Sequence, residues 1–96
     1  MNQQEMSVVS IEIEIPNKLG LHARAAALLR ESAQGFESEI KVVKDHMEAD
    51  AKSLLGLIAL GAAKGCKIKI VADGHDADSA IEELKKLIEN KFNEEE

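Results

Sequence analysis

The sequence predicts an α+β open-faced sandwich: a four-stranded antiparallel sheet covered on one face by three helices, in the order βαββαβα. Three observations carry that expectation. Val9-Ser10-Ile11-Glu12-Ile13-Glu14-Ile15 and Lys67-Ile68-Lys69-Ile70-Val71-Ala72 alternate apolar and polar residues, the two-residue period of a half-buried strand. Ala80, Ile81, Leu84, Leu87 and Ile88 recur instead at three- and four-residue spacing, one face of an amphipathic helix. The wet face supplies the third. Strand one would expose Glu12 and Glu14, and strand four Lys67 and Lys69. As antiparallel neighbours these charges pair across the sheet, each pair contributing roughly 0.2–1 kcal/mol. Alternating strands of this kind form antiparallel sheets with one face solvated and the other covered by helices.

Each element has its own signal. Pro16-Asn17 stops the first strand, and Asn17 to Leu21 form a short loop. His22 to Gln34 is rich in strong helix formers and ends at Gly35, with Phe36 placed to fold back on the last turn of a glycine-terminated helix. Ile40 and Val42 mark a second strand, which turns through Lys44-Asp45-His46 into a short third strand, Met47-Glu48-Ala49. Ser53 is the expected N-cap of a short buried helix running to Leu60. Asp73-Gly74 is a turn signal, with Asp76 the expected cap of the last helix. The 96 residues are expected to make a single domain, with an ordered core over about 8–92 and a frayed acidic tail over 93–96.

Composition narrows the function. A formal charge of −6, no Trp or Tyr and only Phe36 and Phe92 as aromatics argue against a nucleic-acid binder, which needs a basic face and often stacking rings. The single cysteine, Cys66, excludes an internal disulfide and a cysteine-based metal cage; no metal and no cofactor are expected. The first six residues have no basic region followed by an apolar run, and no stretch approaches the ~20 apolar residues of a membrane span. A cytoplasmic protein, most simply a monomer, is expected.

The chemistry concentrates at two helix starts. His46 and His75 read as exposed turn residues. His22 opens an Ala-rich helix with Arg24 two positions on. The first turn of a helix offers unpaired N–H groups and the positive end of the dipole, a ready site for an anion. An imidazolium is disfavoured there, so a neutral, nucleophilic ring is expected. A phosphoryl group on that ring would meet the first-turn N–H groups and the Arg24 guanidinium. On spacing alone, a helix-capping His22 and a solvated Arg24 are the simpler reading. Ser53 is likewise most simply an N-cap, although a phosphate there would be tolerated by the helix terminus. Leu54, Leu55, Leu57, Ile58 and Leu60 cannot all face inward on so short a helix. Leu54 and Leu55 are the expected exposed pair, with ordinary core the simpler alternative.

Asn17-Lys18-Leu19-Gly20-Leu21-His22-Ala23-Arg24-Ala25-Ala26 closely resembles the active-site signature of the HPr family, the histidine phosphocarriers of the bacterial phosphoenolpyruvate-dependent phosphotransferase system. Lys52-Ser53-Leu54-Leu55-Gly56-Leu57 with Leu60-Gly61-Ala62-Ala63-Lys64-Gly65 is similar to the family's second motif, around its regulatory serine. The resemblance runs from about Val8 to Phe92. It implies that His22 is phosphorylated through Nδ1 with Arg24 as phosphate partner. The phosphoryl group would arrive from enzyme I and leave to an enzyme II type acceptor. It further implies that Ser53 matches the serine modified in some bacteria by an HPr kinase/phosphorylase. Leu54 and Leu55, with Ala23 and Ala27, match the partner-docking surface.

Three departures stand out. Ala25 replaces the family's usual proline, which frees one more N–H but leaves the first turn less pre-set. Glu31 and Gln34 stand where sugar-type members often carry lysines. Gln34 to Glu39 and the acidic tail are more similar to NPr, the nitrogen-related branch. The leading expectation is a phosphocarrier that relays phosphate through His22 and is not itself a catalyst. One rival is a regulatory protein whose phosphorylation at His22 or Ser53 only switches partner affinity. The other is an acyl carrier, which the period-two strands oppose because such carriers are all-helical.

Overall fold

The computed structural model describes residues 7–94. Its elements are β1 (Val8–Glu14), α1 (Ala23–Ala33), β2 (Glu39–Lys44), β3 (Met47–Asp50), α2 (Leu54–Ala59), β4 (Lys67–Asp73) and α3 (Ala77–Glu89), followed by a 3₁₀ turn at Lys91–Asn93. The sheet order is β1-β4-β2-β3 and every pairing is antiparallel. β1 and β2 therefore run the same way with β4 between them, and α1 crosses over from one to the other. The expected charge complement is in register: Glu12 lies opposite Lys69 and Glu14 opposite Lys67.

The buried face of the sheet is made by Ile40 and Val42 of β2 and Ile68, Ile70 and Ala72 of β4. Against it lie Ala25, Ala26, Leu29 and Ala33 of α1, and Ala77, Ala80, Leu84 and Ile88 of α3. The alanines of α3 let its axis sit close to β1 and β4, while α1 packs against α2 and α3. Burying one side chain such as Leu29 contributes roughly 1.5–3 kcal/mol. α2 is only six residues long, contains Gly56 and buries Leu57 alone, so it depends on its contacts with α1 and β3 rather than on its own propensity.

Three local details differ from expectation. α1 ends without a left-handed glycine: tight bonds from Gly35 N to Ser32 O and from Phe36 N to Ala33 O close it, and Gly35 keeps a negative-φ backbone. Phe36 nonetheless packs against the core. Asp76 occupies the N-cap position of α3 but makes no capping bond. Its carboxylate accepts instead from the Ser38 hydroxyl and from the N–H groups of Ser38 (3.0 Å) and Glu37 (2.8 Å). These donors lead into β2, where Ser38 is buried and no sheet neighbour takes them. The loop's need for an acceptor outweighs the helix's. Finally, the tail does not fray from residue 93. Phe92 is fully buried, and Asn93 and Glu94 continue the ordered chain; Glu95 and Glu96 lie outside the described residues.

Candidate functional site

The loop that delivers His22 is built by Asn17 and Gly20. Asn17 is fully buried; its backbone carbonyl accepts from Gly20 N (3.1 Å), while its side-chain Nδ2 donates to Gly20 O (2.7 Å). Gly20 has φ +70 and lies so close to the chain at 62–63 that a Cβ there would sit 2.6 Å from Ala62 O. That approach requires glycine. Leu21 N then donates to Ala62 O at 2.8 Å, which fixes the backbone one residue before His22.

His22 is the N-cap of α1, with an extended backbone (φ −79, ψ 179) and a side chain that caps nothing. The first helical bond runs from Ala26 N to His22 O (2.8 Å), so the N–H groups of Ala23, Arg24 and Ala25 have no carbonyl of the helix to bond. No acidic residue lies in this turn. Arg24 is exposed beside it. The helix start thus offers N–H donors, dipole and guanidinium to an anion on His22.

A residue that composition gave no reason to single out completes the site. The Glu94 carboxylate bonds His22 Nε2 through one oxygen and accepts from Asn17 Nδ2 (3.1 Å) through the other. The His22 and Glu94 side chains are only 27% and 10% exposed. The His22 hydrogen bond, outweighing the cost of desolvation, holds the Glu94 carboxyl below the usual carboxylate range; Asn17 and the charges of His22 and Arg24 act in the same direction. Glu94 engages Nε2 and leaves Nδ1 as the other ring nitrogen.

The second motif lies elsewhere. Ser53 caps α2, its Oγ accepting from Gly56 N (3.1 Å). Its neighbour Lys52 donates through Nζ to Phe36 O (2.8 Å), just past the end of α1. His22 and Ser53 are therefore associated with opposite ends of α1, which spans about 16 Å at ~1.5 Å per residue. The expected docking residues divide. Leu55 is 79% exposed and Ala23 is exposed, but Leu54 and Ala27 are half-buried, with Leu54 packed against the core. Ile58 (37%) and Leu19 (68%) are exposed in addition. One turn of helix puts Ile58 on the side of Leu55, whereas Leu54 shares the buried side with Leu57. His46 and His75 are exposed as expected, and His75 Nε2 pairs with Glu37 (2.6 Å). Among the described residues no cluster of His, Cys, Asp and Glu could hold a metal ion, and no helix is long and apolar enough to cross a membrane.

The family model for the PTS HPr component phosphorylation site matches residues 9–90. The chain belongs to the HPr family. It is 45% identical over 82 residues to a phosphocarrier protein HPr of Neisseria meningitidis, an alignment covering 85% of this chain and 92% of that relative. It is 40% identical over 89 residues to a phosphocarrier protein NPr of Shewanella violacea, covering 93% and 98%. Among solved structures, an HPr from Thermoanaerobacter tengcongensis superposes with a TM-score of 0.88 at 46% identity, covering 92% of this chain and 99% of that one. This HPr-family chain is accordingly a phosphocarrier of the phosphotransferase system, a relay and not a catalyst. Its partners are components of that system.

Proposed function

We propose that His22 is the phosphorylated residue. It accepts a phosphoryl group on Nδ1 from phosphorylated enzyme I and passes it to an enzyme II type acceptor, as a cytoplasmic monomer. The observation that carries this reading is the placement of His22: a half-exposed imidazole at the N-cap of α1, its Nε2 already held, beside open first-turn N–H groups and Arg24. Those donors meet the phosphoryl oxygens, and Arg24 adds charge-assisted bonds. Transfer gains from positioning and from charge stabilisation at the helix terminus, and needs neither cofactor nor enclosed cleft. Leu55, Ile58, Leu19 and Ala23 form the apolar part of the docking face. Ser53 is the position where an HPr kinase/phosphorylase would act; a phosphate there would lie beside the exposed Leu55 and alter that face.

The test is incubation with phosphoenolpyruvate and purified enzyme I of both the sugar and nitrogen type, followed by intact mass with and without mild acid. One acid-labile phosphate is expected on the wild type and none on a folded His22→Ala. Arg24→Ala should slow uptake without preventing it. Phosphate retained by His22→Ala would move the site elsewhere. Uptake from neither enzyme I, together with a partner whose activity still tracked this protein, would favour a purely regulatory role.

A further inference from the structure

We propose that Glu94 is a positioning residue for His22, holding the ring proton on Nε2 so that the Nδ1 lone pair is presented to phosphorus. The inference rests on the reading of His22 as the phosphoryl acceptor. Its support is the way the chain end is built. α3 stops at Glu89, and the next residues reverse direction through three successive left-handed positions, Lys91 (φ 57), Phe92 (φ 54) and Asn93 (φ 62). None is glycine, and an L-residue such as Phe enters that region only where its surroundings compel it. Here the fully buried Phe92 ring is the anchor, and bonds from Asn93 N to Asn90 O and from Glu94 N to Lys91 O (both 3.0 Å) close the turn. The turn delivers the Glu94 carboxylate to His22 Nε2 and Asn17 Nδ2, 72 and 77 positions away in sequence.

A carboxylate can only accept, so the proton between Glu94 and His22 belongs to Nε2. That leaves Nδ1 as the nucleophile. In the transfer step the Nδ1 lone pair forms the new P–N bond, and the bond from phosphorus to the donor breaks with its electron pair returning to the donor. The ring proton stays on Nε2, and the imidazolium so formed remains bonded to the Glu94 carboxylate. Asn17 holds that carboxylate from its other oxygen, and Arg24 is the nearby cation acting on it. The carboxylate thus serves the step twice, by orienting the ring and by balancing the charge it acquires.

The test uses the full chain as wild type, Glu94→Ala and Glu94→Gln. In the unphosphorylated proteins, two-bond ¹H–¹⁵N spectra of the His22 ring report the tautomer directly. The wild type should show Nε2 protonated and Nδ1 as the bare nitrogen. Glu94→Ala should show exchange between the two forms. Glu94→Gln, whose amide oxygen still accepts, should keep the wild-type tautomer. The rate of phosphate uptake from enzyme I should fall on the order of tenfold in Glu94→Ala, the low end of what a charge-assisted bond carries, and recover in part in Glu94→Gln. An unchanged His22 tautomer and uptake rate in Glu94→Ala would overturn the positioning role. A wild type that shows the expected tautomer but takes up no phosphate on His22 would instead overturn the reading it rests on.

Discussion

Gly20→Ala is expected to be among the most damaging single-methyl additions to this fold. The native backbone at Gly20 has φ +70, a region that costs an L-residue roughly 1–2 kcal/mol. The added Cβ would also lie 2.6 Å from Ala62 O and 2.9 Å from Ala63 Cα, backbone atoms with no flexible side chain to yield. Forcing such atoms apart adds typically ~1–3 kcal/mol. The total is about 2–5 kcal/mol, and at ~4–8 °C per kcal/mol for a domain of this size Tm should drop by at least ~8 °C. Gly61 supplies the control: it has nearly the same backbone, φ +62, but nothing within 4 Å of an added Cβ. Gly61→Ala should therefore show the conformational cost alone, about 1–2 kcal/mol. Denaturant unfolding followed by circular dichroism compares the two. Because Gly20 precedes the Leu21-to-Ala62 bond that places His22, phosphate uptake should fall further than the folded fraction explains. Equal destabilisation of the two variants would refute the close-approach argument, since the strain is common to both and only the contact differs.

Asp76 gives a pH signature. Its bonds from Ser38 and Glu37 hold the carboxyl at about 2, against an ordinary value of 3.8. A depressed carboxyl contributes stability that is fully present above its ordinary value and is lost as pH falls through the native one. Wild-type Tm should thus fall between about pH 4 and pH 2 more steeply than that of Asp76→Asn, which should be less stable at neutral pH; parallel acid limbs would count against the loop clamp. Ser53→Ala should cost about 1 kcal/mol through loss of the bond to Gly56 N, read as a lower urea midpoint with an unchanged slope, whereas Ser53→Asp keeps a capping oxygen and should stay close to wild type. A large loss in Ser53→Asp would show that α2 cannot carry charge at its start.

Much of this architecture is written in local pattern. Period-two alternation places Ile68 and Ile70 inward and Lys67 and Lys69 outward, and strand pairing needs only the opposite charges of Glu12 and Glu14 to find its register. The motif around His22 is equally local: the turn at Gly20, the helix start and Arg24 all lie within a few residues, so chemistry and scaffold are legible together. Geometry around the motif is not. Whether Leu54 or Ile58 joins Leu55 on the surface depends on how α2 rolls against α1 and β3. Asp76 looks like a helix cap because its sequence neighbours make it one, yet buried donors at Ser38, far away in the chain, claim its carboxylate. Glu94 is the extreme case. In sequence it is one glutamate in an acidic tail, and nothing local distinguishes it from Glu95. Only the burial of Phe92 and the left-handed reversal after α3 bring it to His22. Short-range periodicity and turn chemistry therefore settle the strands, the helices and the helix start that presents His22. The partners of that residue are set by which distant groups the packed core carries to it, and no local pattern encodes that.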